Sequence, residues 1–297
     1  MDHAIEVRGL RKQYGGHPVL DDIDLTVRRG EVFALLGQNG AGKSTTIGIL
    51  TTLVRPDAGR AHVAGSDVVR EPETVKRRIS LTGQAAAVDD VLTGQENLVM
   101  MARLRGLGSR AARARAGKLL EQFDLVDAAS KRVGAYSGGM RRRLDLALSF
   151  VTTPEILFLD EPTTGLDTRS RRELWHVIRQ FARGGTTVFL TTQYLEEADQ
   201  LADRIAVLHG GRIAATGTAA ELKARVGEET LELHDAAGEV IEIHTTDGTV
   251  AGLRRAVDAL SSHDSTAHVT LRRPTLDDVF LTLTADGHPA EPRKEFA

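Results

Sequence analysis

Gly37-Gln38-Asn39-Gly40-Ala41-Gly42-Lys43-Ser44 is the stretch on which the fold turns. It matches Gly-x-x-x-x-Gly-Lys-Ser/Thr, a loop whose glycines let backbone N–H groups curl round a phosphate. The flanking residues supply the context that this chemistry needs. Residues 31–36 (Glu-Val-Phe-Ala-Leu-Leu) read as a buried strand, and Ile47, Ile49, Leu50 and Leu53 mark a helix after the loop. The N-terminus of that helix adds partial positive charge beside the phosphate. In this setting Lys43 reaches the β- and γ-phosphates of a nucleotide, and Ser44 reaches Mg²⁺.

Downstream, residues 156–161 (Ile-Leu-Phe-Leu-Asp-Glu) form an apolar strand ending in two carboxylates. Asp160 stands where an acidic residue would bind Mg²⁺ through water. Glu161, beside it, could take a proton from an attacking water. A strand ending in Asp-Glu is by itself an ordinary solvated strand end; the loop upstream gives this one its meaning. Tyr136-Ser137-Gly138-Gly139-Met140 precedes an arginine-rich helix. It reads either as an anion-binding nest or as an N-cap with a flexible turn.

The rest of the chain alternates strands with helices, which implies a mostly parallel sheet with ligands beyond the carboxyl ends of its strands. Ile5 and Val7, then Ile23, Leu25 and Val27, alternate in strand fashion. Pro56-Asp57-Ala58-Gly59 reads as a turn before a short strand at 61–64. Residues 96–123 read as helical, broken near Gly106-Leu107-Gly108. Leu174, Ile178 and Phe181 mark another helix, and 187–191 and 205–208 are strands with a helix at 195–202 between them. Near Gly217 the pattern changes. A connecting helix at 219–226 and a linker at 227–229 lead to strands at 231–233, 240–243 and 268–271. Helical stripes fall at Val250, Leu253, Val257 and Leu260, and at Leu276, Val279, Phe280 and Leu283.

The chain has 297 residues, 41% hydrophobic and 27% charged, enough apolar content for one large domain and a small appendage. The formal net charge of -3 lacks the basic excess of a protein that grips nucleic acid. The basic runs at 103–118 and 141–143 read as solvated helix faces. There is no cysteine, which excludes disulfides, thiolate metal sites and a thiol nucleophile. The N-terminus lacks the layout of a signal peptide, and the longest apolar runs fall far short of the roughly 18–20 residues that span a bilayer. The chain is therefore expected not to cross a membrane by itself.

Taken in order, residues 37–44, Gln84, Ser137-Gly138-Gly139, Asp160-Glu161 and Gly165-Leu166-Asp167 resemble the ATP-binding subunit of an ABC transporter over residues 4–225. The finer pattern resembles the daunorubicin/doxorubicin-resistance type of exporter subunit. Its marks are Leu81-Thr82-Gly83-Gln84, Leu92-Thr93-Gly94-Gln95-Glu96-Asn97-Leu98, the run Thr191-Thr192-Gln193-Tyr194-Leu195-Glu196-Glu197-Ala198-Asp199, and the run Arg273-Pro274-Thr275-Leu276-Asp277-Asp278-Val279-Phe280.

The resemblance implies an α/β P-loop NTPase with a RecA-like core, an antiparallel β subdomain and a helical subdomain at about 92–140, all within residues 1–225. A small α/β domain at 228–285 and a mobile tail at 286–297 complete it. The implied nucleotide contacts are Gly37, Gln38, Asn39, Gly40, Ala41, Gly42, Lys43, Ser44 and Thr45, with Tyr14 stacked on adenine. Ser137, Gly138 and Gly139 would close on the γ-phosphate held by a second copy, with Asp167 at the boundary between copies. Glu161 is the implied base, Gln193 a donor to the γ-phosphate, and Gln84 a contact to Mg²⁺ or the attacking water that senses a membrane partner. Mg²⁺ would rest on Ser44, Gln84 and Asp160.

The implied activity is ATP hydrolysis by a homodimer on the cytoplasmic face of the membrane, driving export of a hydrophobic drug or lipid through a separate permease docked near residues 84–105. Three positions depart from the pattern. Met140 replaces a usual glutamine, Tyr136 a usual leucine and Gln193 a usual histidine. A glutamine amide can still donate a hydrogen bond but cannot become a cation near neutral pH. Two other classes remain in view: a nucleotide-regulated sequestering protein, and a non-transport ATPase of translation or DNA repair.

Overall fold

The computed structural model describes residues 3–83, 87–235, 237–260 and 268–284. Gln84 and the tail at 286–297 lie outside the described residues. Two antiparallel strands open the chain, β1 (His3–Tyr14) and β2 (His17–Arg28), followed by β3 (Val32–Leu36) and α1 (Lys43–Leu50). Next come β4 (Ala58–Val63), β5 (Ser66–Asp67), α2 (Pro72–Arg78) and β6 (Ile79–Thr82). Helices α3 (Gly94–Leu104), α4 (Ser109–Gln122) and α5 (Gly138–Ser149) precede β7 (Ile156–Asp160). Then follow α6 (Thr168–Arg183), β8 (Thr187–Thr192), α7 (Leu195–Leu201), β9 (Arg204–His209) and β10 (Arg212–Gly217).

Strands β3, β7 and β8 are buried along their whole length, as expected for strands covered on both faces. They lie in a sheet of order β10-β9-β3-β8-β7-β6, in which β3 runs parallel to β8 and β9, and β7 parallel to β8 and β6. Phe33, Phe189 and Phe158 are direct partners across β3, β8 and β7, with ring centroids 5.6 Å apart at each step. Aromatic pairs of this kind add to simple area burial. Because side chains alternate with period two, these rungs also fix the register. That register sets Leu36 beside Thr192 and Asp160 beside Thr191 at the carboxyl ends of the strands.

A second sheet, β2-β1-β4-β5, is antiparallel throughout and shares its core with the parallel sheet through Ile5, Leu10, Ile23, Val63 and Phe33. The turn expected at 56–59 is shorter than read, because Ala58 already pairs with Arg11. The helical segment begins with a capping box: Thr93 Oγ1 accepts from Glu96 N–H at 3.2 Å, and Glu96 Oε2 accepts from Thr93 N–H at 2.8 Å. Asn97 is fully buried. Its amide donates to Asp89 O and Thr93 O at 3.0 Å each and accepts from Asp89 N–H at 2.8 Å, so it pins residues 89–93. Phe123, Phe150 and Phe181 stack to join α4, α5 and α6.

Other expectations need correction. Leu53 does not continue α1: Thr52 is left-handed (φ 67°), Leu53 N–H turns back to Gly48 O at 2.8 Å, and the Leu53 side chain is exposed. Ile79–Thr82 is an edge strand, which the reading passed over. The chain forms two compact units that divide between Thr216 and Gly217. The second unit therefore includes α8 (Ala219–Ala224), which packs on α10 (Leu276–Thr284). It also holds β11 (Glu229–His234), β12 (Val240–Thr246), α9 (Val250–Leu260) and β13 (His268–Arg272). Its antiparallel sheet runs β12-β11-β13. Leu231 and Leu233 pack against Ala256 and Leu260, with Leu253 alongside. The buried stripe of α9 is thus rotated from the one expected, since Val250 is 87% and Val257 50% exposed. Small residues, Gly252 and Ala256, let the helix approach the sheet on that side.

Replacing Phe189 by Ala removes the middle rung and is expected to lower unfolding free energy by about 3–5 kcal/mol. Denaturant unfolding followed by tryptophan fluorescence measures it; a loss below about 1 kcal/mol would mean the rungs do not hold the sheet.

Candidate functional site

Gly37 follows β3 directly, and its N–H donates to Thr192 O of β8 at 3.2 Å. The loop then turns on Gly40 (φ 81°) and Gly42 (φ 107°), backbone angles that side chains rarely adopt. At Gly42 a Cβ would also lie 2.6 Å from Leu20 Cδ2 and 2.8 Å from Val19 O. The chain enters α1 from this left-handed glycine with no side chain capping the first turn. The free donors of α1 and its dipole make that end attractive to anions.

Lys43 is the second residue type that the motif demands, and its side chain is only 4% exposed. Its ammonium donates to Gly37 O at 2.9 Å and Gln38 O at 3.0 Å, and lies 3.2 Å from Glu161 Oε1. All three of its donors are thereby used. Glu161 reaches it through an unusual backbone, left-handed at φ 48°, whose N–H bonds to Thr191 O at 3.1 Å and Thr191 Oγ1 at 3.2 Å. Such a conformation costs a non-glycine residue about 1–2 kcal/mol, and it persists where surrounding contacts over-determine it. Thr164 Oγ1 adds a long contact to Glu161 Oε2 at 3.4 Å.

Asp160 Oδ1 accepts from Thr191 Oγ1 at 2.6 Å and from Ser44 Oγ at 3.3 Å. Lys43, Ser44, Asp160, Glu161 and Thr191 therefore form one contiguous group at the ends of β3, β7 and β8. Sequence reading missed Thr191, which looked like one more β-branched strand residue. Carboxylate and hydroxyl oxygens of this kind suit a small hard cation such as Mg²⁺, which keeps few protein ligands and fills its shell with water and phosphate oxygens.

Gln38, Asn39 and Gly40 are exposed, Thr45 half-buried, and Gln193 half-buried just past the end of β8. Tyr14 ends β1 and is 49% exposed, with the Lys12 ammonium 5.3 Å from its ring centroid. Ser137 is the N-cap of α5, its Oγ accepting from Met140 N–H at 3.2 Å, so the cap geometry is present. Ser137 and Gly138 are exposed, and a Cβ on Gly139 would lie 2.5 Å from Ser170 Oγ. Among the described residues, no hydrogen bond joins Ser137, Gly138 or Gly139 to residues 37–44. Tyr136 is buried, and its hydroxyl donates to Ala128 O at 2.7 Å, so the phenol that replaces leucine is satisfied. Asp167 caps α6, accepting from Ser170 N–H and Ser170 Oγ at 2.9 Å each. The backbone N–H of Ser170 holds its carboxyl below the usual carboxylate range.

The family described as "ABC transporter" matches residues 20–164. The chain is 53% identical, over 96% of its length and 97% of the relative's, to the daunorubicin resistance ATP-binding protein DrrA3 of Streptomyces coeruleorubidus. It is 50% identical to the daunorubicin/doxorubicin resistance ATP-binding protein DrrA of Streptomyces peucetius, covering 98% of this chain and 94% of that one. The Nod factor export ATP-binding protein I of Burkholderia orbicola is 37% identical over 96% of this chain and 90% of its own length. Among solved structures, an ATP-binding subunit of an ABC transporter is 31% identical with a TM-score of 0.66, covering 75% of this chain and 92% of that one. A phosphate loop flanked by strand and helix, an Asp-Glu strand end facing it and full-length identity at this level place the chain in the ABC transporter family, as an ATP-binding, ATP-hydrolysing subunit of the daunorubicin/doxorubicin-resistance type.

Proposed function

We propose that two copies of this subunit sandwich two ATP molecules and that their opening and closing drives a separate membrane-spanning permease exporting a hydrophobic drug or lipid. The observation that carries this reading is the incompleteness of each half-site. Lys43, Asp160 and Glu161 gather at the carboxyl ends of the strands, while Ser137-Gly138-Gly139 form the solvent-facing start of α5 with no hydrogen bond to that group among the described residues. Neither half alone can surround a γ-phosphate, and both halves are present on every copy.

In this reading the backbone of residues 37–44 cradles the β- and γ-phosphates, and Lys43 exchanges Glu161 for a phosphate oxygen. Ser44 and Asp160 would hold Mg²⁺, which neutralises phosphate charge when bound. Glu161, released from Lys43, accepts a proton from the attacking water. Gln193 donates an amide hydrogen to the γ-phosphate. Ser137-Gly138-Gly139 of the second copy approach it from the other side, with Asp167 at the seam, and Tyr14 stacks on adenine. Gln84 would serve as a further contact to Mg²⁺ or the attacking water. No described helix is long and apolar enough to cross a membrane, which supports a peripheral subunit on the cytoplasmic face working with a permease. The names of the relatives, daunorubicin and doxorubicin resistance proteins among them, support export of a hydrophobic cargo.

Glu161→Gln is expected to lower turnover about 10²–10⁴-fold while keeping ATP affinity, since a general base contributes that much and the lysine loses only an intramolecular partner. Light scattering after gel filtration with Mg-ATP should show this variant as a dimer; turnover near that of the parent removes Glu161 from the role. A charged hydrogen bond contributes about 1.5–3 kcal/mol, so Lys43→Ala should weaken ATP binding about 10–100-fold by calorimetry. Unchanged affinity would count against the phosphate-loop assignment. Reconstitution with a permease, and ATPase stimulated by a hydrophobic cargo such as an anthracycline, tests the transport role.

A further inference from the structure

Arg142 and Asp145 lie one turn apart near the start of α5, with side chains only 11% and 4% exposed. The guanidinium reaches three acceptors. Its Nε donates to Pro162 O at 2.7 Å, and its Nη1 donates to Gly83 O at 2.8 Å and to Asp145 Oδ2 at 3.1 Å. The other oxygen of Asp145 accepts from Ala87 N–H at 2.8 Å. One buried ion pair thus ties the helix that begins at Ser137 to three backbone points. Pro162 is bonded in sequence to Glu161. Gly83 directly follows the edge strand β6, whose Thr82 pairs with Leu159 of β7.

Burial works against this pair: it pushes the Arg142 pKa down and the Asp145 pKa up. A buried ion pair is commonly no more stabilising than a well-packed apolar one. Its value here lies in geometry, since a planar fork can hold two carbonyls at fixed directions and a lysine cannot.

We propose that Arg142 and Asp145 are a positioning pair for hydrolysis: they transmit the placement of the Ser137–Gly139 helix start to the backbone that carries Glu161. The proposal rests on the roles given above to Glu161 and to Ser137, Gly138 and Gly139. When α5 shifts as its N-terminus meets a γ-phosphate, Arg142 carries Pro162 O with it, and the Glu161 carboxylate moves relative to the water it deprotonates. Binding of nucleotide to residues 37–44 does not involve the pair.

The test compares Arg142→Lys and Asp145→Asn, which keep size, with the unaltered chain. Affinity is read with a fluorescent Mg-ATP analogue, kcat and KM by phosphate release, and folding by the thermal midpoint. A misplacement of about 1 Å costs about 100-fold in rate, so kcat should fall about 10–100-fold while nucleotide affinity and midpoint stay within about twofold. The deciding measurement repeats Arg142→Lys in the Glu161→Gln background, using single turnover of radiolabelled ATP to resolve the residual rate. If Arg142 acts through Glu161, the second change adds less than about twofold. Full kcat in both single variants, a loss that multiplies in the Glu161→Gln background, or an affinity loss equal to the kcat loss overturns the proposal. Full turnover by Glu161→Gln alone would instead overturn the assignment of the base, and is distinguishable because it needs no change at Arg142.

Discussion

One buried ammonium group organises this subunit. Lys43 is buried, and a buried cation must be matched by acceptors. Gly37 O, Gln38 O and the Glu161 carboxylate do so. For those three to converge, β3 and β7 must end at the same level, and the strand between them must hold both. Strand β8 does: Thr192 O takes the N–H of Gly37, while Thr191 takes the N–H of Glu161 and donates to Asp160. The site is therefore a property of three strand ends in register, and only secondarily of one loop.

The same logic explains why the antiparallel sheet and the helical segment surround this point. Val19 and Leu20 of β2 stand so close to Gly42 that only glycine fits, which couples the antiparallel sheet to the start of α1. Buried Asn97 and the capping box at Thr93 define the path of residues 89–93 ahead of α3. On the far side, α5 presents Ser137 outward while its first buried turn is held by Arg142 and Asp145 to Gly83 and Ala87 beyond β6 and to Pro162 beyond β7. Fixed backbone points and a solvent-facing helix start thus share one element.

Local pattern carried much of this into view. The loop at 37–44, the Asp-Glu strand end and the Ser-Gly-Gly helix start depend on residue types at fixed spacing, and such spacing survives in a linear string. Thr191 did not stand out, because a threonine in a strand is explained by propensity alone; its role appears only once β7 lies beside β8. Arg142 looked like part of a solvated basic face, although its acceptors lie 20 and 59 residues away in sequence. The edge strand at 79–82 was hidden by its brevity. The stripe of α9 was misread because Val250 and Val257 have the right spacing, while the sheet selects Gly252 and Ala256 for closeness. The boundary at Gly217 likewise depends on α8 packing against α10, a contact that no window of sequence contains.

The aromatic rungs have a consequence for how such a chain can diverge. Phe33, Phe158 and Phe189 stand two to four residues upstream of Gly37, Asp160 and Gln193. Inserting or deleting one residue inside any of those short spacers would leave the rings stacked but shift the polar end by about 3.3 Å and flip its side chains to the opposite face. Tolerance in these stretches is accordingly for exchange of one apolar residue by another, and length is the quantity under constraint.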